Sequence, residues 1–174
     1  MGIQFETDYN METLTAMAKG LRRTVRKKRS RRVHIFAAVV LILGLLTILA
    51  TTAGGEPLGA SGVVTLLAML VVILVSLFED KLNAWFARKR LLPGTEHAAA
   101  TFEEDGYVSA TGVTESRFSY AQIVAVAETA RYFVFALSSH HTQAYDKRTI
   151  RGGSVEDFRA FIAGKTGKLV ENIK

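Results

Sequence analysis

The chain contains no cysteine. It therefore has no disulfide framework, no thiolate nucleophile and no Cys-based zinc site, which fits a soluble part kept in a reducing cytoplasm. Two long segments, Ile35–Ala53 and Leu58–Phe78, contain no Asp, Glu, Lys, Arg, His, Asn or Gln. Ionisable groups inside a membrane segment mark ion paths, proton relays or substrate sites, so their absence argues against a channel or transporter built from one copy. Catalytic signatures are missing too. There is no Gly-x-Ser-x-Gly elbow, and Gly152-Gly153 lacks the phosphate-cradle pattern. Glu103-Glu104-Asp105 precedes a glycine without the calcium-loop spacing. His34 and His97 flank the apolar segments, and His140-His141 stands in a polar turn with no clustered acid to complete a metal site. No enzymatic activity, no cofactor and no metal are expected.

What the chain does have is length and charge in particular places. A bilayer core of about 30 Å needs roughly 20 helical residues, and each apolar segment meets that. Only Gly54-Gly55-Glu56-Pro57 separates them, which predicts a hairpin with spans at about 35–53 and 58–78. The formal charge is +6, and it is uneven: residues 1–100 carry 13 Lys/Arg against 7 Asp/Glu, while residues 101–174 carry 9 of each. Arg22, Arg23, Arg26, Lys27, Lys28, Arg29, Arg31 and Arg32 precede the first span; Lys81, Arg88, Lys89 and Arg90 follow the second. Cytoplasmic flanks collect such residues, so both termini are expected inside and Gly54–Gly62 outside. Trp85 and Phe86 read as an interfacial anchor. The first apolar run begins more than thirty residues in and is followed at once by a second, unlike a cleaved signal peptide. The basic block has no interleaved aromatics, so anionic headgroups rather than nucleic acid are its expected partner. Gly44, Thr47, Thr51, Thr65, Ala68 and Ser76 are small enough to let the spans pack closely, with a homo-oligomer left open.

The rest reads as a small α+β domain. Ile3-Gln4-Phe5 alternates as a short strand, and Thr7 or Asp8 offers an N-cap for a helix carrying Tyr9, Leu14, Met17, Leu21 and Val25 on one stripe. That helix is expected to run on into the basic block. Pro93-Gly94 then breaks the helix leaving the membrane. Six strand-like runs follow: Ala99–Glu103, Tyr107–Thr111, Glu115–Tyr120, Ile123–Glu128, Arg131–Leu137 and Thr142–Asp146. Asp105-Gly106 is a hairpin signal between the first two. Ser154 with Asp157 resembles a capping box, and Val155, Phe158, Phe161 and Ile162 form one helical face ending at Gly164 or Gly167. The expected architecture is a curved antiparallel sheet whose open end this helix closes. The divisions are 1–32, a hairpin at 33–79, a linker at 80–95 and a domain at 96–174. Lys147, Arg148 and Arg151 form the domain's basic cluster, a candidate contact for headgroups or an acidic partner. Whether Ile3–Phe5 joins the distant sheet is left open.

The Ile3-Gln4-Phe5-Glu6 segment, the basic stretch, the two spans, and then the order of Phe102-Glu103-Glu104-Asp105-Gly106, Phe118-Ser119-Tyr120-Ala121-Gln122-Ile123, Glu128, Tyr132–Phe135, Tyr145-Asp146-Lys147-Arg148 and the Phe158–Lys165 helix resemble, over nearly the whole chain, the YcxB-like family of bacterial membrane proteins. A Pro often precedes the Lys-Arg pair in that family, and Asp146 stands there instead. The resemblance implies a bacterial inner-membrane protein, a soluble domain similar to pleckstrin-homology-like (PH-like) domains, and no enzymatic activity. The expected function is a membrane-anchored interaction or sensing module with a protein partner. Self-protection against a membrane-acting toxin or antimicrobial is the alternative.

Overall fold

The computed structural model describes residues 2–55 and 57–173, so Glu56 of the expected outer loop lies outside the described residues. Packing divides the chain into two compact units, Lys28–Leu82 and a second made of Met1–Lys27 with Asn83–Lys174.

The first unit is the hairpin. It holds most of helix α2 (Lys27–Ala53) and all of α3 (Ala60–Leu77), both long and apolar enough to cross a membrane. Their hydroxyls do not go unpaired: Thr47, Thr51 and Thr65 each donate to a carbonyl one turn back at 2.9 Å, which suits polar side chains on an apolar helix. A Cβ on Gly44 would lie 2.8 Å from Met69 Sδ, so this glycine lets α3 approach α2.

The second unit is α+β. Its elements are β1 (Ile3–Asp8), α1 (Met11–Arg23), the end of α4 (Glu79–Lys89), β2 (His97–Phe102), β3 (Tyr107–Thr111), β4 (Glu115–Phe118), β5 (Ala125–Glu128), β6 (Tyr132–Ala136), β7 (Thr142–Asp146), α5 (Val155–Thr166) and β8 (Val170–Asn172). One sheet has the order β1-β2-β3-β4, the other β7-β6-β5-β8. The open question of the first strand is answered: β1 pairs antiparallel with β2 along its whole length, from Ile3↔Phe102 to Asp8↔His97. The hairpin is thus inserted between two neighbouring strands of one sheet.

Phe158 of α5 explains why the helix stays. It is fully buried, with ring centroids 4.7 Å from Phe5, 4.8 Å from Phe102 and 5.0 Å from Phe133. Ser154 and Asp157 form the reciprocal cap expected at its start, and Gly167 (φ +64°) ends it in the left-handed conformation that glycine adopts without strain. Strand β6 is buried at every position because α5 and the aromatic core lie on one face and Ala16 and Met17 of α1 lie near Tyr132 and Val134 on the other. Burial on both faces is why Tyr132-Phe133-Val134-Phe135-Ala136 reads as a continuous apolar run rather than an alternation.

Two local expectations are corrected. Thr7 and Asp8 belong to β1, so the cap of α1 is Asn10, whose side chain accepts from the N–H groups of Glu12 and Thr13 at 2.9 and 3.0 Å. The helix does not run on: it stops at Arg23, Thr24–Arg26 make a turn, and α2 starts afresh at Lys27. The hairpin expected at Asp105-Gly106 is present, with Phe102 opposite Tyr107, and Gly106 allows close approach there, since a Cβ would lie 2.5 Å from the Phe118 carbonyl oxygen. Strand β8 was not anticipated; it pairs parallel to β5, with Val126 opposite Val170.

Helix α1 meets β6 at Gly20, where a Cβ would lie 2.7 Å from Val134 Cγ1. Gly20→Val adds branched bulk at that contact without the helix-propensity gain that alanine would bring. It is expected to lower stability by about 1–3 kcal/mol in urea unfolding, with α1 the segment that loses amide protection.

Candidate functional site

The basic cluster expected at Lys147, Arg148 and Arg151 is not a free patch. Lys147 follows β7, and its side chain is only 14% exposed because its Nζ donates to Glu128 Oε1 at 2.9 Å and to the Thr129 carbonyl at 2.7 Å. Glu128, at the end of β5, also accepts a two-pronged contact from Arg159 of α5 at 2.7 and 2.8 Å. Arg159's hydrogen bonds hold the Glu128 carboxyl below the usual carboxylate range; Lys147 adds to this and burial opposes it. Asp146 Oδ2 accepts from Arg131 and from Arg148, each at 2.9 Å, and Arg131 reaches on to Glu12 of α1. Arg151 stands 3.4 Å from Glu6, with both side chains well exposed.

These contacts tie elements together: Glu128 joins β5 to α5, and Asp146 with Arg131 joins the sheet to α1. Residue order alone shows neither pairing, because Glu128 and Asp146 are acids at strand ends whose partners come from other elements. A shallow groove of about 160 Å³ lies over β1 and β2, lined by Gln4, Glu6, Thr101 and Arg151 among others. Among the described residues no group of three or more His, Cys, Asp or Glu is placed to hold a metal ion.

The other expected anchors lie where the chain passes between its units. Arg22 and Arg23 occupy the last turn of α1, and Arg26 lies in the turn after it. Lys27, Lys28, Arg29, Arg31 and Arg32 start α2, and Arg88, Lys89 and Arg90 lie at or just past the end of α4, nearly all of them exposed. Trp85 packs edge-on against Phe86 at 4.9 Å, and the Lys89 ammonium sits 3.6 Å from the Trp85 ring centre, a cation–π contact.

Two turns legible in the sequence make contacts that residue order does not show. The β6–β7 turn carries His140-His141, and its Ser139 carbonyl accepts from Arg26 Nε at 2.6 Å. The β3–β4 turn carries Val113; Gly112 N–H donates to the Gly94 carbonyl at 2.9 Å. Val113 lies over that glycine, whose φ of +84° makes the Pro93-Gly94 turn.

Residues 102–162 match the YcxB-like protein family. The match begins at the last residue of β2 and ends at Ile162 inside α5, so it covers the quoted segments from Phe102 to the first part of the Phe158–Lys165 helix and none of the earlier ones. It includes Glu128, Asp146, Lys147 and Arg159, and leaves out β1, α1 and the hairpin. No curated protein and no solved structure matches the chain.

Proposed function

We propose that this chain is a membrane-anchored, non-enzymatic interaction or sensing module that holds a PH-like domain at the cytoplasmic face of a bacterial inner membrane. The carrying observation is the insertion of two membrane-length helices between β1 and β2, so that one folded unit is fastened to the hairpin at both ends of the insertion. Two packed sheets closed by a C-terminal helix support the PH-like reading. The Lys/Arg excess on both flanks supports the inward orientation of the termini. Tethering at the bilayer raises the effective concentration of such a domain toward other membrane-bound proteins.

The test places photo-crosslinking residues at exposed positions of the soluble unit in the full chain, in native membranes, with positions in the hairpin as controls. One protein captured repeatedly from the soluble unit and not from the hairpin supports the reading. Substrate turnover by the purified chain, abolished by one side-chain substitution, overturns it.

A further inference from the structure

Strand β4 is the free edge of the first sheet: β3 is its one neighbour there, and Glu115, Ser116 and Arg117 are exposed. The register fixes which backbone groups that edge presents. Thr111 N–H donates to the Thr114 carbonyl at 2.8 Å, and two residues along Ser109 stands opposite Ser116. Hydrogen-bonded pairs alternate along an antiparallel ladder. The N–H and C=O groups of Ser116 and Phe118 therefore face β3, and those of Glu115 and Arg117 face away from it. These two outward residues carry opposite charges, and their side chains share the outer face of the sheet. Among the described residues Glu115 makes no ion pair. Arg117 reaches Glu103 at 2.8 Å, with both side chains well exposed. Its guanidinium has donors to spare for a second carboxylate.

We infer that two copies of this chain pair through β4, antiparallel, about a two-fold axis at Ser116. In that register Glu115 of each copy stands opposite Arg117 of the other. Each such pair exchanges the backbone hydrogen bonds that the free edge leaves unmade, and the interface is the same patch on both copies. The residues that offer the backbone groups are thus the residues whose charges meet. One step out, Thr114 faces Phe118 of the second copy, a β-branched side chain against a ring that already stacks on Tyr107. The neighbouring registers of the same phase place Glu115 opposite Glu115, or Arg117 opposite Arg117, and like charges directly opposite destabilise a pair. Charge commonly blunts an edge strand. Here the alternation of sign blunts the other registers and leaves this one open. The inference goes beyond the proposed function: it concerns the α+β unit alone and holds whatever partner or signal that unit meets.

Because the chain has no cysteine, single cysteines crosslink without background. The full chain is expressed with Ser116→Cys, or with Glu156→Cys at a well-exposed position of α5 as the collision control, and isolated membranes are oxidised with copper phenanthroline. Ser116 stands opposite itself in a non-hydrogen-bonded pair, with Cα atoms about 4.5 Å apart, within the range of about 4.4–6.8 Å that a disulfide spans. A disulfide dimer should therefore form much faster at Ser116→Cys than at Glu156→Cys. Adding Glu115→Arg or Arg117→Glu to Ser116→Cys makes both cross-strand pairs repulsive and should slow the crosslink about tenfold. The double exchange, Glu115→Arg with Arg117→Glu, should restore it. Co-expression of the two single reversals under different tags should also restore it, because a copy with two Arg then meets a copy with two Glu; chains that had merely lost their fold would not recover this way. Crosslinking at Ser116→Cys no faster than at Glu156→Cys would overturn the pairing. Charge reversals without effect, or reversed chains that do not recover together, would overturn the Glu115–Arg117 register.

Discussion

Residues 96–174 expressed alone are expected not to fold, although they contain every strand but one. The missing strand β1 pairs with all six residues of β2, and Phe5 sits 1% exposed against Phe102, Phe133, Tyr145 and Phe158. Emptying the Phe5 site alone is worth about 3–5 kcal/mol, set against a total of about 5–15 kcal/mol for a typical domain. The fragment also lacks α1, whose Ala16 and Met17 cover the outer face of β6, and it leaves the whole inner edge of β2 unpaired. These losses together exceed what a domain of this size can absorb. A chain joining residues 2–27 to 90–174 through a flexible linker of about 15 residues, with an average reach of about 20 Å, is expected to fold as a soluble protein. Amide dispersion and urea unfolding separate the cases: the joined chain should show dispersed resonances and one cooperative transition, and the fragment neither. A cooperatively folded fragment 96–174 would mean that β1 is an accessory strand. Binding experiments aimed at this domain need residues 2–27 in place.

The elements that were legible are those whose pattern is local. Tyr107–Thr111 and Thr142–Asp146 match their strands end to end, and Ser154 with Asp157 marks the start of α5. What was not legible depends on partners distant in sequence. Ile3-Gln4-Phe5 reads as a strand, but nothing local says that Asp8 meets His97 across 89 residues with a hairpin between them. Strand β8 has three residues, too few to show a period, and it exists because α5 returns the chain alongside β5. The candidate site divides the same way. Lys147, Arg148 and Arg151 form a basic cluster in sequence, yet their acids come from β5, β7 and β1. The short spacing of like charges says where the cations are, and only the packing says whether they are free.

Glu128→Gln is expected to destabilise the α+β unit by about 3 kcal/mol, whereas Arg148→Gln should cost less than about 1 kcal/mol. The two differ in what is left behind. Glu128 is 4% exposed, and its loss leaves the Lys147 ammonium buried without a counter-charge. Arg148 is 64% exposed, and Asp146 keeps Arg131 when it goes. Replacing the buried pair together, Glu128→Leu with Lys147→Met, should recover a large part of the loss, because neither charge then needs burial. The carboxyl also predicts a pH dependence. Arg159 and Lys147 depress its folded pKa, so its contribution is fully present above the unfolded value of about 4.3 and is lost as pH falls through the lower folded value. Urea unfolding of the wild type should therefore weaken on acidification below about 4.3, and Glu128→Gln should weaken less steeply over the same range. Identical slopes in the two proteins, together with a loss near that of Arg148→Gln, would show that the Glu128–Lys147–Arg159 cluster behaves as a surface ion pair.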